Sequence, residues 1–343
     1  MTGGQTSDGR KRCLLIAPLS FYSFHHTIGQ GLERRGYEVD MLNEEFPANS
    51  IGKILGKFAL PLLRRLTLRG LRQRLDARAP YDLVLIIKGR GLGPGAVSYL
   101  RTKARRIVGY NFDSFRFNPS PLDWLALPDR YSTFDIKDAA QYGIPLVHLF
   151  SAAAPPVNGS RRYDLTIIQR VHSNRLAYAD RLLRALPKGA TSFVFLYESS
   201  TLTFALGLLR HPLLYTRLWK HISFTPLPYS EAMAALGQSR VTFDYSHPKQ
   251  SGITVRCFEA QSLGVAVLTN NASAVASDLF APGSIAHLPN NASIGTVVAI
   301  LNDLFRHLPE PRCRDLDTFL DDLLADSAPR ATAAPAIAGD KFV

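Results

Sequence analysis

Cysteine is scarce in this chain, and long apolar runs are absent from it. The 343 residues include three cysteines, Cys13, Cys257 and Cys313, which are too few and too scattered to predict a disulfide framework or a metal site. No run of about eighteen apolar residues occurs, so the sequence predicts no membrane-spanning helix. The first twelve residues are polar, and the apolar stretch that follows has only the length of a strand, unlike the core of a signal peptide. These absences favour a reduced, cytoplasmic setting.

Length and composition indicate a globular protein of two domains. A chain of 343 residues exceeds most single domains, and 46% of its residues are hydrophobic against 20% charged. The best linker candidate is the Ala-, Pro- and Ser-rich stretch 151–160, near the middle of the chain. We therefore predict a flexible N-terminus at 1–12, a first domain at 13–150, a second domain at 161–325 and a disordered tail at 326–343.

Strand and helix patterns alternate in both halves. In the first half, a helix at 28–35 follows the first of six predicted strands, which lie at 13–17, 39–42, 83–88, 106–111, 130–133 and 147–150. In the second half, predicted strands at 165–169, 192–197 and 222–225 alternate with helices at 176–185, 215–221 and 230–237, the last with Ser230 as its N-cap. Such alternation predicts a doubly wound α/β domain in each half.

Positive charge is concentrated in the first half. Residues 1–150 hold 22 Lys or Arg against 13 Asp or Glu, whereas the whole chain holds 40 against 28. The stretch 51–78 carries eight basic residues and one acid among Leu, Ile and Phe, and Pro61 predicts a kink or two helices. Such a segment can lie on an anionic membrane surface, or it can pack on its own domain with a basic face toward solvent. Nucleic acid is disfavoured as a partner, since zinc-finger spacings and RNA-binding aromatic signatures are missing.

The most informative segment is Ser239–Asn271, whose pattern is strand, loop, helix, turn and strand. Residues 240–245 have strand character, Ile253–Leu263 a helical pattern stopped by Gly264, and Val265–Thr269 the apolar run of a buried parallel strand. Free backbone N–H groups at the start of such a helix, with the positive end of its dipole, suit an anionic diphosphate. The same pattern is also typical of an ordinary βαβ unit without a ligand.

Residues 251–271, SGITVRCFEAQSLGVAVLTNN, resemble the donor-binding segment of bacterial GT-B glycosyltransferases, group-1-like, of the spore-maturation, capsule and lipopolysaccharide type. The matching residues are Gly252, Thr254, Arg256, Phe258, Glu259, Ala260, Gly264, Thr269 and Asn270. Many of these transferases carry a second Glu where this chain has Ser251, which does not fit a retaining mechanism that relies on that pair. A weaker resemblance runs over 11–325 and includes YDLVLIIKGRGLG and IVGYNFDS. It implies an α/β protein of the GT-B fold, with two Rossmann-like domains facing each other across a cleft.

The resemblance implies a nucleotide-sugar donor bound around this helix. The candidate donor contacts are Arg170, His247, Ser251, Gly252, Ile253, Thr254, Arg256 and Glu259. Glu259 is suited to ribose hydroxyls, while Arg256 offers charge to the diphosphate. Such transferases usually neutralise the diphosphate with a helix dipole and basic side chains, which implies neither a metal nor another cofactor. Structural pairing is the alternative for Arg170, and a solvated helix position is the alternative for Glu259.

Four polar residues fall at the carboxyl ends of predicted strands in the first half. Asp113 and His25 are candidates for the general base that an inverting transfer needs. His26 and Lys88 are candidates for contacts with the acceptor. The alternatives are a local hydrogen bond for each histidine, a turn or cap role for Asp113 and an acidic partner for Lys88. The glycines of KGRGLGPG give no clean G-x-G-x-x-G, so we interpret them as a flexible turn.

These residues predict a glycosyltransferase, cytoplasmic and peripheral on the inner membrane. It would move a sugar from a nucleotide-diphosphate sugar to a cell-surface polysaccharide, a glycolipid or a related acceptor. Two alternatives stay open at this point. One is a nucleotide-sugar epimerase of GT-B-like fold, and the other is a non-catalytic module that binds membrane or nucleic acid through residues 51–78.

Overall fold

The computed structural model describes residues 10–19, 24–152, 161–306 and 308–326, which form two α/β units. Each unit is built on a parallel sheet, with five strands in the first and six in the second. The first strand begins at Lys11, inside the stretch predicted to be flexible. Most of that stretch, of the predicted linker and of the predicted tail lies outside the described residues.

The first sheet has the strand order β2-β1-β3-β4-β5. Its strands are Lys11–Ala17 (β1), Tyr37–Asn43 (β2), Tyr81–Ile87 (β3), Ala104–Asn111 (β4) and Arg130–Thr133 (β5). Its helices are Phe24–Arg34 (α1), Ser50–Phe58 (α2), Leu60–Leu75 (α3), Pro94–Arg101 (α4) and Ile136–Tyr142 (α5). In β1 and β3 the Leu, Val and Ile side chains are buried on both faces, as expected of central parallel strands covered by helices.

The second sheet has the strand order β11-β10-β9-β6-β7-β8. Its strands are Tyr163–Arg170 (β6), Ser192–Tyr197 (β7), Ile222–Ser223 (β8), Ser239–Asp244 (β9), Ala266–Thr269 (β10) and Ile285–His287 (β11). Its helices are Arg175–Ala185 (α6), Thr201–Arg210 (α7), Pro212–Leu218 (α8), Tyr229–Gly237 (α9), Val255–Ser262 (α10), Ala272–Val275 (α11) and Ile294–Arg306 (α12). Gly264 adopts a φ of 63°, which ends α10 and turns the chain into β10, as the sequence predicted.

The last helix, Leu316–Leu324 (α13), returns to the first unit. It packs against α1 and β4, and Phe319 lies 4.9 Å from the ring of Phe150 and 5.3 Å from that of Tyr110. The guanidinium of Arg106 donates to the carbonyl of Leu324 at 2.8 Å. The predicted second domain, 161–325, includes this helix, but the apolar face of the helix is buried on the first sheet.

Two local predictions differ from the structure, and a third, a kink or two helices at Pro61, is confirmed. Residues 147–150 are not a strand: Val147 donates to Thr133 at 2.9 Å, and then Leu149 and Phe150 turn into the core. The helix predicted to start at Ser230 starts at Tyr229, with Pro228 as its N-cap and no side-chain cap. The basic stretch forms two helices, α2 and α3, because Pro61 lies in the first turn of α3, where a missing N–H costs nothing. Among the described helices, none combines the length and apolarity needed to cross a bilayer.

Candidate functional site

Two of the predicted residues meet at the carboxyl edge of the first sheet. Lys88 follows β3 and Asp113 follows β4, and Lys88 Nζ lies 2.7 Å from Asp113 Oδ2. Lys88 has a φ of 68°, in the left-handed region that a lysine seldom adopts, and its N–H donates to the carbonyl of Tyr110 at 2.7 Å. The two side chains are partly exposed. Lys88 therefore has the acidic partner considered from the sequence, and that partner is the candidate base.

The loop after β9 in the second unit lies directly against this pair. Gln250 Nε2 donates to Asp113 Oδ1 at 3.2 Å, and the hydroxyl of Ser114 donates to the carbonyl of Lys249 at 2.7 Å. The ring of Phe117 meets that of His247 edge-on at 5.0 Å. The fold thus brings the candidates Asp113, Lys88 and His247 together from two units across a shared boundary.

A cluster of basic residues, two of them histidines, gathers on the second unit beside that loop. It consists of Arg170 and His172 at the end of β6, Arg175 at the start of α6, and His247 and Lys249. Desolvation, followed by the charges of Arg175, Arg170 and His247, lowers the pKa of His172 to about 4 although the residue is exposed. Desolvation and the charges of Lys249 and Arg175 also lower the pKa of His247.

Aromatic rings support two of these cations. The guanidinium of Arg175 lies 5.0 Å from the centre of the Tyr245 ring, and that of Arg170 lies 5.9 Å from the Tyr197 ring. Positive groups that depress one another's proton affinity gain from an anion placed among them. We call Arg170, His172, Arg175, His247 and Lys249 the cation cluster; a diphosphate is the kind of group that it suits.

The loop that leads into α10, which begins at Val255, is not open in the way the sequence suggested. Asp135 Oδ2 accepts the N–H of Ser251 at 2.6 Å and that of Gly252 at 3.2 Å, and Asp135 Oδ1 accepts the Ser251 hydroxyl at 2.6 Å. Asp135 also caps α5 through the N–H groups of Lys137 and Asp138, each at 3.1 Å. A carboxylate of the first unit therefore occupies the amide groups that were expected to face the donor diphosphate.

The side chains of the next two donor candidates, Ile253 and Thr254, are engaged in contacts within the protein. The side chain of Ile253 is buried in the apolar core. The hydroxyl of Thr254 donates to Asp244 Oδ1 at 2.6 Å, while that of Thr269 donates to Asp244 Oδ2 at 2.8 Å. These contacts fix the entry into α10 and leave the Thr254 side chain little freedom for a ligand.

Arg256 and Glu259 form an ion pair on α10, with 3.0 Å between Arg256 Nη1 and Glu259 Oε2. The Glu259 side chain is buried, whereas that of Arg256 is partly exposed. Desolvation and the nearby Glu259 carboxylate raise the pKa of Tyr229, the first residue of α9. Glu259 is therefore not a solvated helix residue, and Arg256 and Tyr229 are the members of this group that reach the surface.

The two histidines of α1 differ in exposure. His25 is buried and lines a small cavity with Phe24, Ile87 and Phe112, whereas His26 is exposed. Their rings lie 4.2 Å apart. Ile87 and Phe112 directly precede Lys88 and Asp113, so the cavity that His25 lines is adjacent in the chain to this ion pair. His26 is on the surface.

Sequence reasoning missed several residues of this region. Glu44 follows β2 and accepts the N–H of Arg90 at 2.8 Å; burial raises the pKa of Glu44 to about 7, which the charge of Lys88 partly opposes. The sequence also predicted no site role for Asp135 or Arg175. The available signal was position, since Glu44 and Asp135 each follow a strand of a parallel sheet at its carboxyl end, where ligands bind in such folds. Within the described ranges, no group of three or more His, Cys, Asp or Glu is arranged to hold a metal ion.

Comparison with known proteins identifies the fold. No family model and no curated protein matches the sequence. A UDP-GlcNAc 2-epimerase from Neisseria meningitidis, solved with UDP-GlcNAc, is similar with a TM-score of 0.57 and 11% identity, over 92% of this chain and 99% of that one. A sucrose-phosphate synthase from Thermosynechococcus elongatus gives 0.56 and 11%, over 92% and 95%.

A glycosyltransferase involved in avilamycin A biosynthesis gives a TM-score of 0.55 and 12% identity, over 92% of this chain and 96% of that one. At such low identity the likeness concerns the fold and not the activity. The likeness to these three structures extends over both parallel-sheet units of this chain. The protein has the GT-B fold, as the sequence predicted.

Proposed function

We propose that this protein is a glycosyltransferase that takes a sugar from a nucleotide-diphosphate sugar. The observation that carries the proposal is the cation cluster of the second unit lying beside the Lys88–Asp113 pair of the first. The cations suit the leaving diphosphate, and the carboxylate suits the hydroxyl that attacks. We further propose, from the sequence resemblance, that the acceptor is a cell-surface polysaccharide, a glycolipid or a related molecule.

In the proposed reaction, Asp113 takes the proton of the acceptor hydroxyl. The acceptor oxygen then bonds to the anomeric carbon while the bond from that carbon to the diphosphate oxygen breaks, and the nucleoside diphosphate leaves with the bonding electrons. Arg170 would neutralise the charge that develops on it, joined by His172 and His247 where the diphosphate raises their pKa enough to protonate them. Lys88 would hold the Asp113 carboxylate in place, since their atoms are 2.7 Å apart.

We propose diphosphate contacts at other residues than those that the sequence indicated. The amides of Ser251 and Gly252 donate to Asp135, so we assign the diphosphate to the cation cluster instead. Arg256 and Tyr229 lie partly exposed on the same unit, and we propose that they contact the nucleoside, with Glu259 orienting Arg256 at 3.0 Å.

A nucleotide-sugar epimerase is the second candidate. Two observations favour it: an epimerase solved with UDP-GlcNAc is among the similar structures, and two carboxyl groups, Glu44 and Asp113, lie at the same sheet edge. An epimerase converts its substrate without an acceptor. Incubation with the nucleotide-sugar alone, followed by chromatography of the products, therefore distinguishes an epimerase from a transferase. Without an acceptor, a transferase should release only the free sugar formed by slow hydrolysis.

We also propose a cytoplasmic protein that is peripheral on an anionic membrane through α2 and α3. Ile51, Ile54, Phe58 and Leu62 are exposed there, although the same helices bury Leu63 and Leu71 in the first unit. Exposed apolar side chains among lysines and arginines are the pattern of a helix that lies in a membrane interface. Nucleic acid is not proposed as a partner.

Nucleotide-sugars are expected to stabilise the protein, and this tests the donor site. A ligand at one hundred times its Kd adds about 2.7 kcal/mol to the free energy of unfolding, which a thermal melt detects. Arg170→Ala should weaken binding of the effective ligand about tenfold or more, because a charge-assisted contact is lost. Arg162→Ala is the matched control, since Arg162 precedes the same strand at its other end and lies 5.3 Å from the Tyr163 ring. No shift with any nucleotide-sugar would contradict the proposal.

Donor binding is expected to tighten as the pH falls from 8 to 5. Desolvation and neighbouring cations hold the pKa of His172 at about 4. A bound diphosphate would raise this pKa, so His172 would take up a proton on binding. The affinity for the donor would therefore increase in acid. The diphosphate of a nucleotide-sugar is a diester and keeps its charge over this range. Titration calorimetry should show the full trend in the wild type and in His221→Gln, and a weaker trend in His172→Gln, where only His247 remains to take up the proton. An equal trend in all three would contradict the assignment of His172.

A further inference from the structure

Helix α7 has an apolar face that nothing in the described structure covers. None of its residues is buried. Leu202, Leu206 and Leu209 are exposed by 67%, 44% and 80%, and Leu213, one turn further on in α8, is exposed by 68%. Spacings of four and three residues place Leu202, Leu206 and Leu209 on one side of α7, and Leu213 follows at the start of α8. We call these four residues the leucine face.

The side of the α7–α8 hairpin opposite the leucine face packs against the second unit, so the exposure of the leucines is not due to a poorly packed helix. Phe204 and Leu208 of α7 pack on the apolar core of the second unit. Gly207 lies so close to Tyr215 of α8 that a Cβ there would clash with the Tyr215 ring. At the start of α7, Ser200 caps the N–H of Thr203 at 3.1 Å.

A buried carboxylate ties the two helices together at that same end. Glu198 accepts the hydroxyl of Thr203 at 2.6 Å and that of Tyr215 at 3.4 Å. Exposure of large apolar side chains on a well-anchored element is typical of a contact surface.

The charge around the leucine face is of one sign. Residues 199–230 contain Arg210, Arg217 and Lys220 and neither Asp nor Glu. Arg217 is paired with Asp180 at 3.4 Å, which leaves Arg210, next in sequence to Leu209, and Lys220 as the other cations of this segment. A partner that covers this face must therefore accept both apolar side chains and positive charge.

We propose that the leucine face docks on an anionic lipid bilayer. A second copy of the chain is disfavoured because two such faces would bring positively charged segments together, in a chain of net charge +12. An anionic bilayer offers headgroup phosphates to the cations and acyl chains to the leucines. The leucine face would lie in the interface with α7 parallel to the membrane.

This surface is separate from the one on α2. The α2 residues Ile51, Ile54 and Phe58 belong to the first unit, whereas the leucine face belongs to the second. The inference rests on the bilayer partner proposed above and is independent of sugar transfer. Two contacts that one chain makes with the same bilayer raise membrane affinity far more than either alone, so losing either should be measurable.

Co-sedimentation of the full chain with vesicles tests the inference. The vesicles are made of phosphatidylcholine alone or with phosphatidylglycerol as the anionic lipid. Leu202→Gln with Leu209→Gln should lower binding to the anionic vesicles about tenfold, because binding follows the apolar area inserted. The matched control is Leu127→Gln with Leu308→Gln, which removes two exposed leucines elsewhere on the chain and should bind like the wild type. Circular dichroism and the nucleotide-induced melting shift should be unchanged in both.

The outcomes separate the two membrane surfaces. Wild-type binding that the leucine variant retains in full would overturn the inference, and a loss seen only with Ile54→Gln and Phe58→Gln would leave the α2 contact standing alone. Absence of wild-type binding to anionic vesicles would overturn both. A dimer in light scattering that the leucine variant abolishes would also overturn the inference and would assign the face to a second copy.

Discussion

Replacing Asp113 with asparagine is expected to lower the turnover of sugar transfer by about 10²- to 10⁴-fold, the usual contribution of a positioned general base. Asparagine keeps the shape of the side chain and an oxygen that can face Lys88 Nζ, which lies 2.7 Å from the carboxylate in the native protein. It cannot take up the proton of the acceptor hydroxyl. Turnover should therefore fall while the affinity for the nucleotide-sugar stays close to that of the wild type.

A matched substitution separates loss of the base from loss of a surface charge. Asp123 lies in the same unit, pairs with Arg64 at 2.6 Å and is more exposed than Asp113. Asp123→Asn makes the same chemical change away from the candidate site and should leave turnover unchanged. Initial rates with saturating donor and acceptor, beside calorimetric donor binding, are the measurements.

Unchanged turnover in Asp113→Asn would show that another group takes the proton. His25 is then the next candidate, because it lines a cavity with Phe112, the neighbour of Asp113. His25→Gln would then be expected to abolish transfer. Equal loss of turnover and of donor affinity in Asp113→Asn would instead assign the carboxylate to the binding of the donor.

The sequence predicted the architecture well because that architecture has a local signal. Parallel strands buried on both faces appear as short apolar runs, and the runs at β1, β3 and β4 were located within a few residues. Gly264 marked the end of α10 because few other residues adopt its φ of 63°. The stretch 147–150 has the same apolar composition but makes only an isolated contact with Thr133 of β5 and no continuing ladder, so composition alone predicted it wrongly.

Contacts between distant parts of the chain carry no such local signal. The sequence suggested that Ser251 and Gly252 would bind an anion at a helix start, and their amides do bind a carboxylate. That carboxylate belongs to Asp135, more than one hundred residues earlier in the chain. A pattern of residue types can predict the kind of partner that a backbone amide needs, but not which segment the fold brings to it.

Asp135→Ala is expected to lower the free energy of unfolding by about 3–5 kcal/mol, from two buried amides left without an acceptor and one helix cap lost. The carboxylate is buried and serves both units at once, since it caps α5 and accepts the amides of Ser251 and Gly252. Alanine leaves those two amides in the interior without acceptors, and each buried, unsatisfied donor costs about 1–3 kcal/mol. Denaturant unfolding measures the loss.

Asp315→Ala is the control, because Asp315 caps α13 at an exposed helix start, where it accepts the N–H of Thr318 at 2.8 Å. Losing only a helix cap costs about 1 kcal/mol, so a penalty at Asp135 well above that value measures the contact between units. Hydrogen exchange at the amides of Ser251 and Gly252 should also speed up in Asp135→Ala and stay unchanged in Asp315→Ala. Equal penalties in the two variants would mean that Asp135 acts only as a cap and that another contact holds the α10 loop against the first unit.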